Sequence, residues 1–187
     1  KLLIFVNDNG GPTYTGVQSN GPLRLGKLFL FEGGIRVPMM LKWPGVIPQG
    51  LEFSGTSSSL DLFPTLCSAA GVDLPDAIDV DGVDLLPFLD GKAAGSPHET
   101  LFWSNGPNRA IRHGDWKLIQ SGDSSWLYDL SDDIGESRNL KKSHPNKLHE
   151  LEGLLDRWQR SMAKPAWPSK PNRRKVIIGD GTYEQNI

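Results

Sequence analysis

The residues with the clearest capacity for chemistry stand at the start of the chain. There Lys1-Leu-Leu-Ile-Phe-Val-Asn-Asp8-Asn9-Gly-Gly11 ends an apolar run in a carboxylate, a carboxamide and two glycines. Adjacent Asp and Asn oxygens are hard donors of the kind that hold Ca²⁺ or Mg²⁺, and glycine lets the backbone turn sharply beside a bound ion. The same letters compose an ordinary turn, because Asx side chains bond their own backbone and glycine takes positive φ. Read alone, the segment favours the turn. A second mixture with binding character is Trp103-Ser-Asn105-Gly-Pro-Asn108-Arg109. Its aromatic face, amides and guanidinium would suit a sugar or a second anionic group, although a polar hairpin connection has the same composition. The sole cysteine, Cys67, is spaced from Leu62, Phe63, Leu66 and Ala70 as a small core residue of a helix. His144 and His149 are five apart, off a shared helical face, and form no metal-like pair.

Asp8 and Asn9 need a rigid element behind them, and residues 2–6 have the length and composition of a strand buried on both faces, as in a parallel sheet covered by helices. The carboxyl ends of such strands are where ligands bind in open α/β sheets. A second strand is expected at 37–42. A helix follows over about 62–70, capped by Asp61, with Pro64 in its first turn and Gly71 as its stop. Residues 91–98 read as a boundary. Beyond it, strands near 100–103, 109–112, 116–120 and 126–130 should form an antiparallel sheet, with a turn at His113-Gly114-Asp115. From Pro145 a helix carries Leu148, Leu151, Leu155, Trp158 and Met162 toward that sheet, with Lys147, Glu150, Glu152, Asp156 and Arg157 largely outward. The expected organisation is thus the closing part of a large α/β domain over 1–90, a small α+β subdomain over 91–163, and a solvated, proline-rich tail with a basic patch over 164–187.

Between the first two strands lies Gly21-Pro-Leu-Arg24-Leu-Gly26-Lys27-Leu-Phe-Leu-Phe-Glu32-Gly33-Gly34-Ile-Arg36-Val-Pro38, continuing to Trp43-Pro44-Gly45. This resembles the sulfatase family of the alkaline phosphatase superfamily, in which a D-N-G turn is followed by P-L-R-G-x-K, then E-G-G-x-R-x-P, then an apolar strand ending in W-P-G. Further similarity runs through Asp61-Leu-Phe-Pro64, Asp81-Gly82-Val-Asp-Leu-Leu-Pro87, Arg109-Ala-Ile-Arg112-His-Gly114-Asp115-Trp116-Lys117-Leu and Leu127-Tyr128-Asp129-Leu130, so that residues 1–163 are covered.

The resemblance implies the end of an alkaline-phosphatase-like α/β sheet domain followed by a small antiparallel sheet with a packed helix. It implies that Asp8 and Asn9 are ligands of a divalent cation, usually Ca²⁺ with Mg²⁺ an alternative, and that Lys27 is the catalytic lysine contacting the sulfate group. An ammonium on a long stem suits the oxygens where charge accumulates as the S–O bond breaks. Asn105 and Arg109 are further substrate-binding candidates. Glu32 and Arg36 read as a structural ion pair, because Gly33-Gly34 disfavours a regular helix. One departure surrounds the lysine: a common family version reads Gly-Gly-Lys-Gly-Thr, whereas Leu25 and Leu28-Phe29 stand here.

The family nucleophile is a formylglycine made from Cys or Ser in a C/S-x-P-x-R motif upstream of the D-N-G turn, and no such motif precedes Asp8. These residues are therefore expected to be the carboxyl-terminal portion of a longer polypeptide, inactive alone and dependent on the remainder of that chain. The expected substrate is a sulfate ester, including sulfated carbohydrates. Two other readings stay open: a phosphoester or phosphonate hydrolase of the same superfamily, and a binding module that keeps the fold without the nucleophile. A net charge of −2 offers nothing for nucleic acid, and no apolar run is long enough to span a membrane. Periplasmic, extracellular or lysosomal residence is what the family implies.

Overall fold

The computed structural model describes residues 1–75, 77–164, 166–167 and 173–186. Its strands are β1 (Leu3–Val6), β2 (Met39–Lys42), β3 (Thr100–Asn105), β4 (Asn108–His113), β5 (Trp116–Ser121), β6 (Ser124–Asp129), β7 (Arg173–Ile178) and β8 (Gly181–Asn186). The helices are α1 (Glu32–Ile35), α2 (Leu62–Ala70), α3 (Leu86–Leu89) and α4 (Pro145–Ser161). Among the described residues every strand pairing is antiparallel, in sheets ordered β1-β2, β3-β4-β5-β6 and β7-β8. The chain divides into two units, Lys1–Val6 with Pro38–Glu99, and Asn7–Val37 with Thr100–Ile187. The expected partition is redrawn accordingly: residues 7–37 group with the downstream sheet.

In the first unit the apolar run does become a strand, but not the one expected. β1 pairs with β2 antiparallel, Leu3 opposite Lys42 and Val6 opposite Met39. Its side chains alternate, with Leu3 66% and Phe5 54% exposed while Ile4 and Val6 are half-buried. An apolar run fixes neither the direction nor the number of a strand's neighbours, so the buried parallel reading does not hold for these residues.

α2 ends as expected, at Gly71 in the left-handed region, with the Val72 N–H donating to the Cys67 carbonyl. Its start differs. A 3₁₀ turn over Ser59–Asp61 precedes it, and Ser58 is the capping residue, accepting from the Leu60 N–H. Asp61 is fully buried and accepts from the backbone N–H groups of Ser58 at 2.7 Å and Val83 at 2.9 Å, with His98 Nε2 at 2.6 Å. The carboxylate thus ties three segments together instead of capping α2. Cys67 is half-buried, and Phe63 and Leu66 of its helix are half-exposed, so the stripe on α2 is not a closed core.

The second unit is layered about β3-β4-β5-β6. Alternation along the strands sends Ile111, Leu118 and Leu127 to one face, where they pack with Leu151 and Leu155 of α4. Pro145 opens that helix at a position where a missing N–H is free of cost. Phe102 stacks on Trp158 at 5.0 Å and 5°. Ala110, Ile119, Trp126 and Tyr128 face the other way, onto Phe29, Phe31, Ile178 and Tyr183. Burying a side chain the size of Phe31 or Leu127 contributes roughly 1.5–3 kcal/mol, so this second core holds residues 29–31 firmly against the sheet. Met162 at the end of α4 is instead exposed.

The tail is corrected where it is described. Residues 173–186 form a hairpin, not a solvated linker: Tyr183 is fully buried, and its hydroxyl accepts from the Leu30 N–H at 3.1 Å. Proline-rich composition upstream concealed the β-branched run Val176-Ile-Ile178, which suits a strand. Residues 165 and 168–172 of that segment lie outside the described residues.

Candidate anion and metal site

Asp8, Asn9 and Lys27 all belong to the second unit, and backbone hydrogen bonds bring their segments together. The Lys27 N–H donates to the Gly11 carbonyl at 3.1 Å, and the Gly10 N–H donates to the Gly34 carbonyl at 2.9 Å. The turn carrying Asp8 and Asn9 therefore rests on the lysine loop on one side and on α1 on the other. These contacts demand glycine. A Cβ at Gly10 would lie 1.7 Å from the Gly33 carbonyl oxygen, and one at Gly26 would lie 2.1 Å from that of Gly11.

The donors themselves are presented outward. Asp8 is exposed, with Oδ1 accepting from the Asn9 N–H at 3.0 Å. Asn9 is half-buried, and its Nδ2 donates to the Gly10 carbonyl at 2.9 Å. Asp8 Oδ2 and Asn9 Oδ1 are thus hard oxygens suited to a divalent cation, but they amount to two donors where such an ion takes six or more. No group of three or more His, Cys, Asp or Glu that could hold a metal occurs among the described residues. The pair fits part of a coordination shell.

Lys27 is exposed beside Gly26, which is buried. The leucines flanking this dipeptide both take positive φ, Leu25 at 59° and Leu28 at 80°. Glycine would adopt those angles without steric cost, whereas each leucine bears roughly 1–2 kcal/mol of left-handed strain. The expected departure from Gly-Gly-Lys-Gly therefore falls on the two positions where the backbone favours glycine most. Leu25 recovers part of that cost by packing against the core formed by Phe29, Phe31 and Tyr183.

The loop is anchored from beneath. Arg24 donates to Tyr128 Oη at 3.1 Å and to the Glu136 carbonyl, and its guanidinium lies 5.5 Å from the centroid of the Phe31 ring. Glu32 is buried, with Arg36 at 3.4 Å and Lys117 Nζ at 2.7 Å. The ion pair expected between Glu32 and Arg36 is present, yet Lys117 is the nearer partner. Lys117 is 0% exposed and also lies 2.8 Å from Glu136 Oε1, while Glu136 Oε2 accepts from the Glu32 N–H at 2.7 Å. Burial pushes the Glu32 carboxyl up, but Lys117, with Arg112 and Arg36, outweighs it and holds Glu32 below the ordinary carboxylate value. At Glu136 burial wins, aided by the charge on Glu32, and its carboxyl is raised.

Asn105 and Arg109 are not brought together. The hairpin is tighter than the expected loop, with only Gly106 and Pro107 between β3 and β4. Asn105 pairs with Asn108, and Ser104 with Arg109, so the two candidates point to opposite faces of the sheet. Asn105 is exposed. Arg109 is engaged on the α4 side, donating from Nε to Gln120 Oε1 at 2.8 Å and pairing with Asp156 at 2.7 Å. Asp156, expected to face outward, is its partner.

Three residues of this site went unread in the sequence. Asn20 sat in an Asn-Gly-Pro turn signal, Lys117 on a strand where lysine suggests the solvent face, and Glu136 in an acidic loop. Only contacts distant in sequence distinguish them. The letters C/S-x-P-x-R do occur once, as Ser169-Lys-Pro-Asn-Arg173, but after the Asp8-Asn9 turn instead of before it, and residues 168–172 lie outside the described residues.

Comparison with known proteins finds similarity to sulfatases. Residues 24–161 match the family described as N-sulphoglucosamine sulphohydrolase, C-terminal. A sulfatase of Formosa agariphila is 35% identical across 94% of this chain and 38% of its own length. Arylsulfatase A of Bos taurus is 36% identical across 76% of this chain and 34% of its own. The crystal structure of Ps i-CgsB in complex with k-i-k-neocarrahexaose superposes with a TM-score of 0.77 at 30% identity, covering 89% of this chain and 38% of that one. The chain spans little more than a third of the length of these two relatives.

Proposed function

The chain belongs to the sulfatase family, as its carboxyl-terminal portion, and from that premise we propose that it supplies part of the active site of a sulfuric ester hydrolase. Asp8 and Asn9 hold part of the shell of a divalent cation, Ca²⁺ in the leading reading, and Lys27 binds the sulfuryl oxygens. The observation that carries this reading is the Lys27-to-Gly11 backbone hydrogen bond, which seats the lysine loop directly on the Asp8-Asn9 turn.

When bound, the cation would draw charge from a sulfate oxygen and help orient the ester. The chain's own residues do the rest of what is proposed here. Asp8 Oδ2 and Asn9 Oδ1 fix the position of positive charge at the mouth of the site. Lys27 adds an ammonium at the sulfuryl oxygens, holding that group as the S–O bond to the departing alcohol breaks and charge builds on the leaving oxygen. The attacking oxygen belongs to a formylglycine supplied by residues other than these, so the segment alone is expected to be inactive. A sulfated carbohydrate is the substrate class favoured by the likeness to Ps i-CgsB, whose complex holds k-i-k-neocarrahexaose. Asn105 is exposed at its hairpin and accessible to a substrate, whereas Arg109 would have to leave Asp156.

The test is turnover of an aryl sulfate and an aryl phosphate by the full-length protein and its Lys27→Ala variant. Sulfate should be preferred, and the variant should lose about 10²–10³ in kcat. A preference for phosphate, or an unaltered Lys27→Ala, would overturn the reading.

A further inference from the structure

We infer that Asn20 is the positioning residue that holds the metal turn and the lysine loop in one register. This rests on the function proposed above and goes beyond it, since Asn20 itself touches neither ion nor ester in that account. Its half-buried carboxamide is bonded to backbone at both its nitrogen and its oxygen. Nδ2 lies 3.0 Å from the Gly11 carbonyl, 2.9 Å from that of Leu25 and 3.1 Å from that of Gly33, and Oδ1 accepts from the Gly11 N–H at 3.2 Å. Those carbonyls belong to three different segments: the turn after Asp8-Asn9, the strained residue preceding Gly26-Lys27, and α1. The Gly11 carbonyl is the same one that accepts from Lys27.

The Gly11 carbonyl also accepts from the N–H groups of Thr13 and Lys27, so the carboxamide matters most at the Leu25 and Gly33 carbonyls, where a part-buried acceptor deprived of its donor is costly. A carboxamide provides two N–H groups and an acceptor in one plane, which serine, alanine or aspartate cannot. Gly26 is part of the same device, since a Cβ there would come within 2.6 Å of Asn20 Nδ2. Without the brace, the lysine loop loses one of its ties to the Asp8-Asn9 turn, on the side where Leu25 already carries an unfavourable φ of 59°.

The experiment compares Asn20→Ser with Lys27→Ala in the full-length protein. Displacement of a positioned group by about 1 Å costs on the order of 100-fold in rate, so Asn20→Ser should lower kcat for an aryl sulfate by that factor. It should also raise the half-saturating Ca²⁺, measured by calorimetry on the folded variant, and lower the thermal unfolding midpoint, since acceptors are left without a donor. Lys27→Ala should lower kcat without moving the Ca²⁺ affinity. Asn20→Ser with kcat and Ca²⁺ affinity within about twofold of the parent would overturn the inference, as would a lowered midpoint with unchanged rate per folded molecule. If Asn20→Ser does not fold, amide exchange in the unmodified protein decides: the Gly11 N–H should exchange about a hundredfold slower than an unstructured glycine, and exchange at the open-loop rate would overturn it. The calcium and exchange readouts need no substrate, so a protein inactive on sulfate esters would refute the proposed function while leaving the brace to be judged separately.

Discussion

Replacing Lys117 with methionine is the perturbation whose size follows most directly from the structure. Its Nζ lies 2.7 Å from Glu32 and 2.8 Å from Glu136, with lysine and both carboxylates buried. At an effective dielectric near 20, each contact at that distance carries roughly 6 kcal/mol of gross attraction, most of it offset by the cost of taking three charges out of water. Methionine fills the space but leaves that cost uncompensated, so the loss of unfolding free energy should be about 3–5 kcal/mol, measured by urea denaturation at pH 7. The loss has a pH signature. With Lys117 gone, burial raises both carboxyls, and a group raised in the folded state gives back stability as pH falls through its folded value. In the parent, Glu32 is held below the ordinary value and keeps its contribution until pH falls through that lower value. The gap between variant and parent should therefore narrow from pH 7 to pH 5. Glu32→Gln/Lys117→Met/Glu136→Gln should recover much of the loss. A Lys117→Met protein within about 1 kcal/mol of the parent would refute the argument that the triad is desolvated.

Gly10→Ala should cost at least about 2 kcal/mol and lower Ca²⁺ affinity, because the added Cβ meets the backbone carbonyl of Gly33 at 1.7 Å and one segment must move; an unaltered unfolding curve would count against that packing. Burial pushes the Tyr183 hydroxyl up to about 12. It therefore contributes stability below pH 10 that is lost as pH rises through 12, and Tyr183→Phe should remove one tyrosinate step near pH 12 from the ultraviolet titration.

Much of the second unit was legible in the chain. Strands rich in β-branched and aromatic residues with two-residue turns gave the antiparallel sheet, and Leu151 and Leu155 gave the buried stripe of α4, since period and turn chemistry are local properties. The first strand was misread for the complementary reason: Leu2-Leu-Ile-Phe-Val6 says that burial is available and nothing about which neighbours provide it. Asp61 matched the composition of a helix cap, yet its carboxylate reaches Val83 and His98, partners remote in sequence. Motif and spacing singled out the Asp8-Asn9 and Lys27 segments, which backbone hydrogen bonds bring together. Their support was not legible, because Asn20 acquires its contacts only when the loop closes on Gly11, Leu25 and Gly33, and Lys117 and Glu136 only when they meet Glu32 across long loops. Arg109 and Asn105 were grouped by proximity in sequence, and strand alternation then sent them to opposite faces.

The central claim is that Asp8 and Lys27 act on one anion. A double-mutant cycle on kcat/KM for an aryl sulfate, using Asp8→Ala, Lys27→Ala and the pair in the full-length protein, tests it most directly. Groups serving one transition state are strongly non-additive. The double variant should be little worse than the more damaged single variant, whereas losses that multiply would mean that the two residues work at separate places.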